Sequence, residues 1–542
     1  MKKRIILLFS MNWCMMIASA QVQTQSLAWG DQGNGTYVNP VLNVDYSDPD
    51  VIRVGEKYYM VASDFNYMGM QVMESDDMVN WKYISQVYDH FDVEGWDEMK
   101  HYAGGCWAPA LVEHNGRYYV YFCTPDEGLF MSSATNPRGP WSPLHCVKSI
   151  KGWEDPCPFW DEDGQAYLGH SRVGAGPIII HKMSADGKQL LNDGLTVYTG
   201  PVAEGTKFLK HEGYYFLIIP EGGVGTGWQT ALRSKNIYGP YEKKVILEQG
   251  VTPVNGPHQG NLVATPEGEW WLFHFQDTPA QGRVVHLQPV RWLEGWPMAG
   301  VDQNMNGIGE PVYVWKKPNV RTETKTITET KTKTKTKTKT KTKAMLPAHS
   351  DEFSGEEMTY KGERKDGLGL QWQWNHNPVH EKWSLTERKG WLTLEALPAP
   401  QLMLARNTLS QKVMGYAGET TTQLDASAFT ESTRAGLCVL GSQFAGIGIC
   451  KKNGKLQFYT EVNGQVQWLG NASKTAYLRV NVDGTRFQLE YSSDGKHFAK
   501  AGDAIDIHAK YWKGPRLGLF CYNESSASGK ARFNYFRYEV MK

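Results

Sequence analysis

A short motif recurs five times in the first half of the chain, always a turn glycine followed by aromatic residues. The copies are Gly55-Glu56-Lys57-Tyr58-Tyr59, Gly116-Arg117-Tyr118-Tyr119, Gly164-Gln165-Ala166-Tyr167, Gly213-Tyr214-Tyr215 and Gly268-Glu269-Trp270-Trp271. Successive glycines are 61, 48, 49 and 55 residues apart. Each copy follows a short apolar strand such as Val51-Ile52, Ala110-Leu111-Val112 or Phe208-Leu209. One such glycine is only a hairpin. Five in order predict five all-β units of about fifty residues, which read as a five-bladed β-propeller rather than a sandwich. A second element, Asn136-Pro137-Arg138-Gly139-Pro140-Trp141 and Asn236-Ile237-Tyr238-Gly239-Pro240-Tyr241, recurs deeper in the units.

The repeat region is expected to span 36–318. It is followed by a Lys-Thr tract in which alternating like charges leave nothing to bury, so 319–345 is expected to be an extended linker. From 346 to 542 the pattern changes to two-residue alternation with polar turns, as in Tyr477-Leu478-Arg479-Val480-Asn481-Val482, Asp483-Gly484 and Phe487-Gln488-Leu489-Glu490-Tyr491. This predicts antiparallel strands in a jelly-roll-like β-sandwich. The fold class is therefore all-β, in two domains.

The N-terminus reads as an export signal. Lys2, Lys3 and Arg4 precede an apolar run to Ile17, then Ala18-Ser19-Ala20 offers a cleavage site, so residues 1–20 are expected to be removed and the protein secreted or periplasmic. No other segment is apolar enough for a transmembrane span. Seven cysteines remain beyond Cys14, scattered and odd in number, and give no disulfide framework. The formal charge of zero is a cancellation: segment 321–343 carries +7 and the leader +3, leaving about −10 on the rest. Nucleic acid is thus excluded as a partner. Nothing bears on oligomeric state.

A propeller brings the inner strand of every unit to one axis, so acids just before those strands can converge. Three stand out: Asp48 in Ser47-Asp48-Pro49-Asp50, Asp155 in Trp153-Glu154-Asp155-Pro156, and Glu204 in Val202-Ala203-Glu204-Gly205. They are read as occupying the same place in the repeat. Singly, each would be a turn opener or a solvated loop acid. Together they fit glycoside hydrolysis, which needs two carboxyl groups flanking the bond, with a third able to tune the proton donor by like-charge repulsion.

The chain resembles glycoside hydrolase family 43 over most of 36–315. The motifs are the Asn39-Pro40 and Asp48-Pro49-Asp50 opening, Trp107-Ala108-Pro109, Asp155-Pro156 with Phe159 and Asp163-Gly164, and Glu204-Gly205. The resemblance implies that Asp48 is the general base, Glu204 the general acid and Asp155 the residue that tunes and orients it. It implies inversion at the anomeric centre and release of terminal pentose from plant polysaccharide or its oligosaccharides, with α-L-arabinofuranose the preferred sugar and β-D-xylose the alternative. It also implies no cofactor for the chemistry. Gly256-Pro257-His258-Gln259-Gly260 looks like the segment whose histidine reaches the axis, so His258 is read as a ligand to structural Ca2+ there, against a plain turn histidine. Arg283 is read as binding sugar hydroxyls, and Phe65 and Trp107 as the apolar wall of the pocket. Asp351-Glu352-Phe353, 370–378 and Ala405-Arg406-Asn407-Thr408-Leu409 look like the sandwich attached to many such enzymes, the concanavalin-like kind. The Lys-Thr tract is not a feature of the family. Fructan-cleaving propellers are rejected because Ser47, Asp50 and Gly205 replace their motif residues. A non-catalytic glycan-binding protein would have lost one of the three acids, and all are present.

Overall fold

The structure, a computed structural model, describes residues 28–319, 346–355 and 367–541. The expected leader, and all of the expected linker but Asn319, fall outside the described residues. Those described form an all-β protein whose only helices are the single 3-10 turns His380–Lys382 and Leu402–Leu404.

The first domain contains five consecutive antiparallel sheets, each with four strands taken in sequence order. They begin with Ser47–Val54, Trp107–His114, Trp153–Trp160, Lys207–His211 and His258–Ala264. The repeat glycines make the first turn of each sheet. In the second sheet Asn115 and Gly116 (φ 51° and 75°) form a two-residue connection between His114 and Arg117. Positive φ at both central positions is what the right-handed twist of a tight hairpin requires, and Asn-Gly supplies it with little strain.

Aromatic rings of the motif and of the strands ahead of it sit between sheets. Tyr59 meets Tyr118 edge-on at 5.7 Å, Tyr119 meets Trp160 at 4.7 Å, Phe159 stacks on Phe208 at 5.2 Å, and His211 meets Trp270 at 5.2 Å. Trp81 of the first sheet then meets Phe273 of the last at 5.9 Å, so the sequence of junctions returns to its start. The opening strands follow the same cycle, that of the fifth sheet lying against that of the first. The segment ahead of the first sheet, Leu42–Asp45, adds a further strand to the last one by pairing with Gly282–Leu293. Thr36–Val38 pairs with Val314–Lys316, which ties the two ends of the domain together.

The second domain is two eight-stranded sheets that share an apolar core including Leu437, Ile447, Leu478, Val480, Phe487 and Phe533. The two domains meet through buried polar contacts. Lys412 pairs with Asp64 at 2.9 Å, Asn66 donates to Asn375 at 2.8 Å, and Gln71 donates to the Leu370 carbonyl at 2.7 Å. Buried polar groups persist only when partnered, so this interface fixes one orientation of the second domain on the first.

Candidate active site

Four of the five opening strands, those of the first, second, third and fifth sheets, carry a register shift near their start. One residue there is left-handed: Asp48 (φ 53°), Ala108 (φ 39°), Asp155 (φ 55°) and Gln259 (φ 47°). Gly205 (φ 66°) holds the same place just ahead of the fourth strand. In a regular strand consecutive side chains point to opposite faces. A left-handed residue breaks that alternation and turns the side chains around it toward a common space. Backbone strain of this kind, about 1–3 kcal/mol for a residue other than glycine, is concentrated at functional sites.

This geometry corrects the reading that the three acids are equivalent. Asp48 and Asp155 occupy the left-handed position, while Glu204 precedes it by one and corresponds to Ser47, Trp107, Glu154 and His258. All three acids nevertheless line one pocket of about 340 Å³. Its walls include Phe65, Trp107, Glu154, Asp155, Glu204, His258, Gln259, Arg283 and, from the second domain, Trp512.

Asp48 is buried. Its Oδ2 accepts from Ser63 Oγ at 2.6 Å and Ser47 Oγ at 3.0 Å, and its Oδ1 pairs with Arg283 Nη1 at 2.7 Å. Arg283, expected to hold sugar hydroxyls, is thus placed on Asp48, and it also donates to Ser47 Oγ at 3.0 Å. Asp155 Oδ2 accepts from the Gly205 amide at 2.7 Å and Gln259 Nε2 at 2.9 Å. Burial, then the charges of Glu204 and Asp48, push Asp155 up to about 7 despite those two donors. Glu204 Oε1 meets His258 Nε2 at 2.5 Å. Glu154, Asp155 and Glu204 each bring a carboxylate oxygen within 4.8 Å of the others, and Asp48 stands outside this group.

The calcium expectation at His258 is not shown by this geometry. One ring nitrogen is engaged by Glu204, and the other, Nδ1, is buried with no hydrogen-bond partner among the described residues. Calcium takes six to eight oxygen ligands, which a single imidazole nitrogen does not provide. His258 Nε2 instead contacts Glu204.

Phe65 (3% exposed) and Trp107 are both on the pocket wall. Trp107 Nε1 donates to the Ala103 carbonyl at 2.8 Å, and its ring meets Trp512 edge-on at 5.1 Å. Trp512 sits at the tip of a turn closed by Lys510 and Lys513, where Tyr511 and Trp512 are both left-handed (φ 53° and 63°). Lys513 anchors that turn: its buried ammonium donates to Asn66 Oδ1 and lies 3.7 Å from the centre of the Tyr102 ring.

Sequence reasoning missed Glu154, Gln259 and Trp512. Glu154 and Gln259 had a signal, being next to Asp155 and His258. Trp512 had none, because it reaches the pocket only through domain docking.

Clustered carboxyl groups around a small pocket fit the two-carboxylate chemistry of glycoside hydrolysis. Residues 37–297 match the model of glycosyl hydrolases family 43, and 364–539 match the β-xylosidase C-terminal concanavalin A-like domain. A putative β-xylosidase of Xylanibacter ruminicola is 54% identical, the match covering 92% of this chain and 88% of that protein. A β-xylosidase of Formosa agariphila is 35% identical, over 96% of this chain and 93% of that protein. The crystal structure of the family 43 protein BlXynB of Bacillus licheniformis superposes with a TM-score of 0.78 at 27% identity, covering 93% of this chain and all of that one. The chain belongs to glycoside hydrolase family 43, with a concanavalin-like C-terminal domain, and is a glycosidase.

Proposed function

We propose that this protein is an inverting, exo-acting β-D-xylosidase that releases single xylose units from the non-reducing ends of plant-derived xylo-oligosaccharides. The observation that carries the reading is the pocket. At about 340 Å³ it lies at the small end of ligand pockets. Its wall is completed by Trp512, so it suits one terminal sugar rather than a chain passing through. The five sheets are read as the blades of a propeller, with the pocket at the end of its axis where the opening strands converge.

In this reading Asp48 takes a proton from the attacking water, and Arg283 and the two serine hydroxyls hold that carboxylate in place. Glu204 gives its proton to the departing oxygen, oriented by His258. Asp155 is fixed by Gly205 and Gln259 close to Glu204 and supplies negative charge there. The preference for xyloside over the expected arabinofuranoside rests on the names of the two relatives that share most of the chain. Residues 1–20 are read as a cleaved leader that exports the enzyme to where oligosaccharides are met.

The test is kcat/KM on para-nitrophenyl β-D-xyloside and para-nitrophenyl α-L-arabinofuranoside, with proton NMR of the first-formed anomer. The xyloside should be preferred and the configuration inverted. Preference for the arabinofuranoside would restore the alternative sugar, and retention would remove Asp48 as the base.

A further inference from the structure

Glu154 is the one carboxyl group of the pocket to which the scheme above gives no role. It precedes Asp155 on the same strand, and regular alternation would turn it away from the site. The register shift between Glu154 and Cys157, with Asp155 left-handed, brings both side chains to the pocket instead. Glu154 is 7% exposed, and its carboxyl lies within the group it forms with Asp155 and Glu204.

The partners in this group are unequal. Asp155 accepts two hydrogen bonds and Glu204 meets His258, but Glu154 accepts only the Ala175 amide, at 3.1 Å on Oε1. Among the described residues no lysine or arginine pairs with Glu154. Carboxylates this close cannot all be ionised, and the proton settles where compensation is poorest. Burial first, then Asp155 and Glu204, push Glu154 up to about 9. Meanwhile Arg283 is turned onto Asp48, Gln259 onto Asp155 and His258 onto Glu204. A neutral Glu154 is therefore a hydrogen-bond donor in a pocket where Arg283, Gln259 and His258 are turned onto other carboxylates.

We propose that Glu154 is a substrate-binding residue: in its neutral form its hydroxyl donates to a ring hydroxyl of the bound pentose, while Oε1 keeps the Ala175 amide. This rests on the pocket being the sugar site, and it assigns a specificity-determining residue beyond the three acids of the reaction.

The experiment uses the full-length enzyme and Glu154→Gln, Glu154→Ala and Glu154→Asp, with KM and kcat measured between pH 5 and 9.5 and xylose affinity by calorimetry. Thermal melts of each variant establish folding. Glu154→Gln keeps a donor and an acceptor and should hold KM near the wild-type value at pH 6. Glu154→Ala should raise KM and weaken xylose binding by about tenfold, the worth of one hydrogen bond, with a smaller effect on kcat. Wild-type KM should rise above pH 8 as the donor ionises, and that of Glu154→Gln should not. If Glu154 only holds the Ala175 loop, the pH dependence of KM will be the same in wild type and Glu154→Gln, and the inference fails. Unchanged xylose affinity in Glu154→Ala overturns it as well. A wild-type enzyme inert toward both aryl pentosides would instead strike the reading of the pocket.

Discussion

His258 Nε2 lies 2.5 Å from Glu204 Oε1, and the imidazole is 1% exposed while the carboxyl opens to the pocket. A buried ring on a strand of the fifth sheet thus aims an acid carried by the loop ahead of the fourth. Proton transfer depends on placement before it depends on acidity. His258→Ala should lower kcat on xylo-oligosaccharides by up to about two orders of magnitude, the low end of what general acid catalysis contributes, and change KM little. A variant whose KM alone rises would show that the ring contacts sugar rather than orienting the acid.

Asp155 lies beside Glu204, and ionising it there costs the folded protein stability. Its carboxyl is pushed from 3.8 up to about 7. A carboxyl raised in the folded state contributes stability that is complete below about pH 4 and is lost as pH climbs toward 7. Asp155→Asn removes that loss. Its melting temperature, relative to wild type, should therefore be more favourable at pH 8 than at pH 4. Activity on oligosaccharides should fall, and the alkaline limb of the rate profile should move to lower pH. A thermal difference independent of pH would mean the charge is compensated in the folded protein.

Trp512 is the second domain's contribution to the pocket. It is 49% exposed, so Trp512→Ala should leave the melting temperature within a few degrees of wild type. KM for xylobiose should rise about fivefold, as expected for an exposed aromatic wall whose contact is worth about 1 kcal/mol. Steady-state kinetics on xylobiose would show it. No change in KM would place the sugar away from the turn carrying Tyr511 and Trp512.

Buried histidines give the protein an acid limit. Burial holds His274 at about 4, His170 at about 3 and His376 at about 3. A histidine depressed in the folded state contributes stability above pH 6.5 that is lost as pH falls toward the folded value, on the order of 3 kcal/mol for His274 and up to about 5 kcal/mol for His170 and His376. Denaturant midpoints should decline between pH 6.5 and 4, and His274→Gln should flatten the decline. A flat midpoint over that range would contradict neutral buried rings.

Much of the first domain was legible because its repeat unit has a local physical signature. A glycine or Asn-Gly turn is needed for each tight hairpin, and the aromatics after it reach the junctions, as Tyr59 with Tyr118 shows. The acids were legible through Asp-Pro and Glu-Gly pairs at the strand starts. The phase of Glu204 was not, because the left-handed residue that sets it leaves no mark in spacing. Glu154 had only its place beside Asp155 to mark it, since regular strand alternation would face it away. Arg283 and His258 were legible as site residues but not as the partners of Asp48 and Glu204, which only packing decides. Trp512 lies more than two hundred residues beyond the last acid-bearing strand, and no local pattern links it to the pocket.

The central claim is the division of labour between Asp48 and Glu204, and the most direct measurement is kcat/KM of two variants on two leaving groups. A general acid matters only when the departing oxygen must be protonated. Glu204→Ala should lose nearly all activity on xylobiose yet retain far more on an aryl xyloside with an acidic phenol. Asp48→Ala should lose activity on both alike, because water is no longer activated. Rescue of Asp48→Ala rather than Glu204→Ala by the better leaving group would contradict the account.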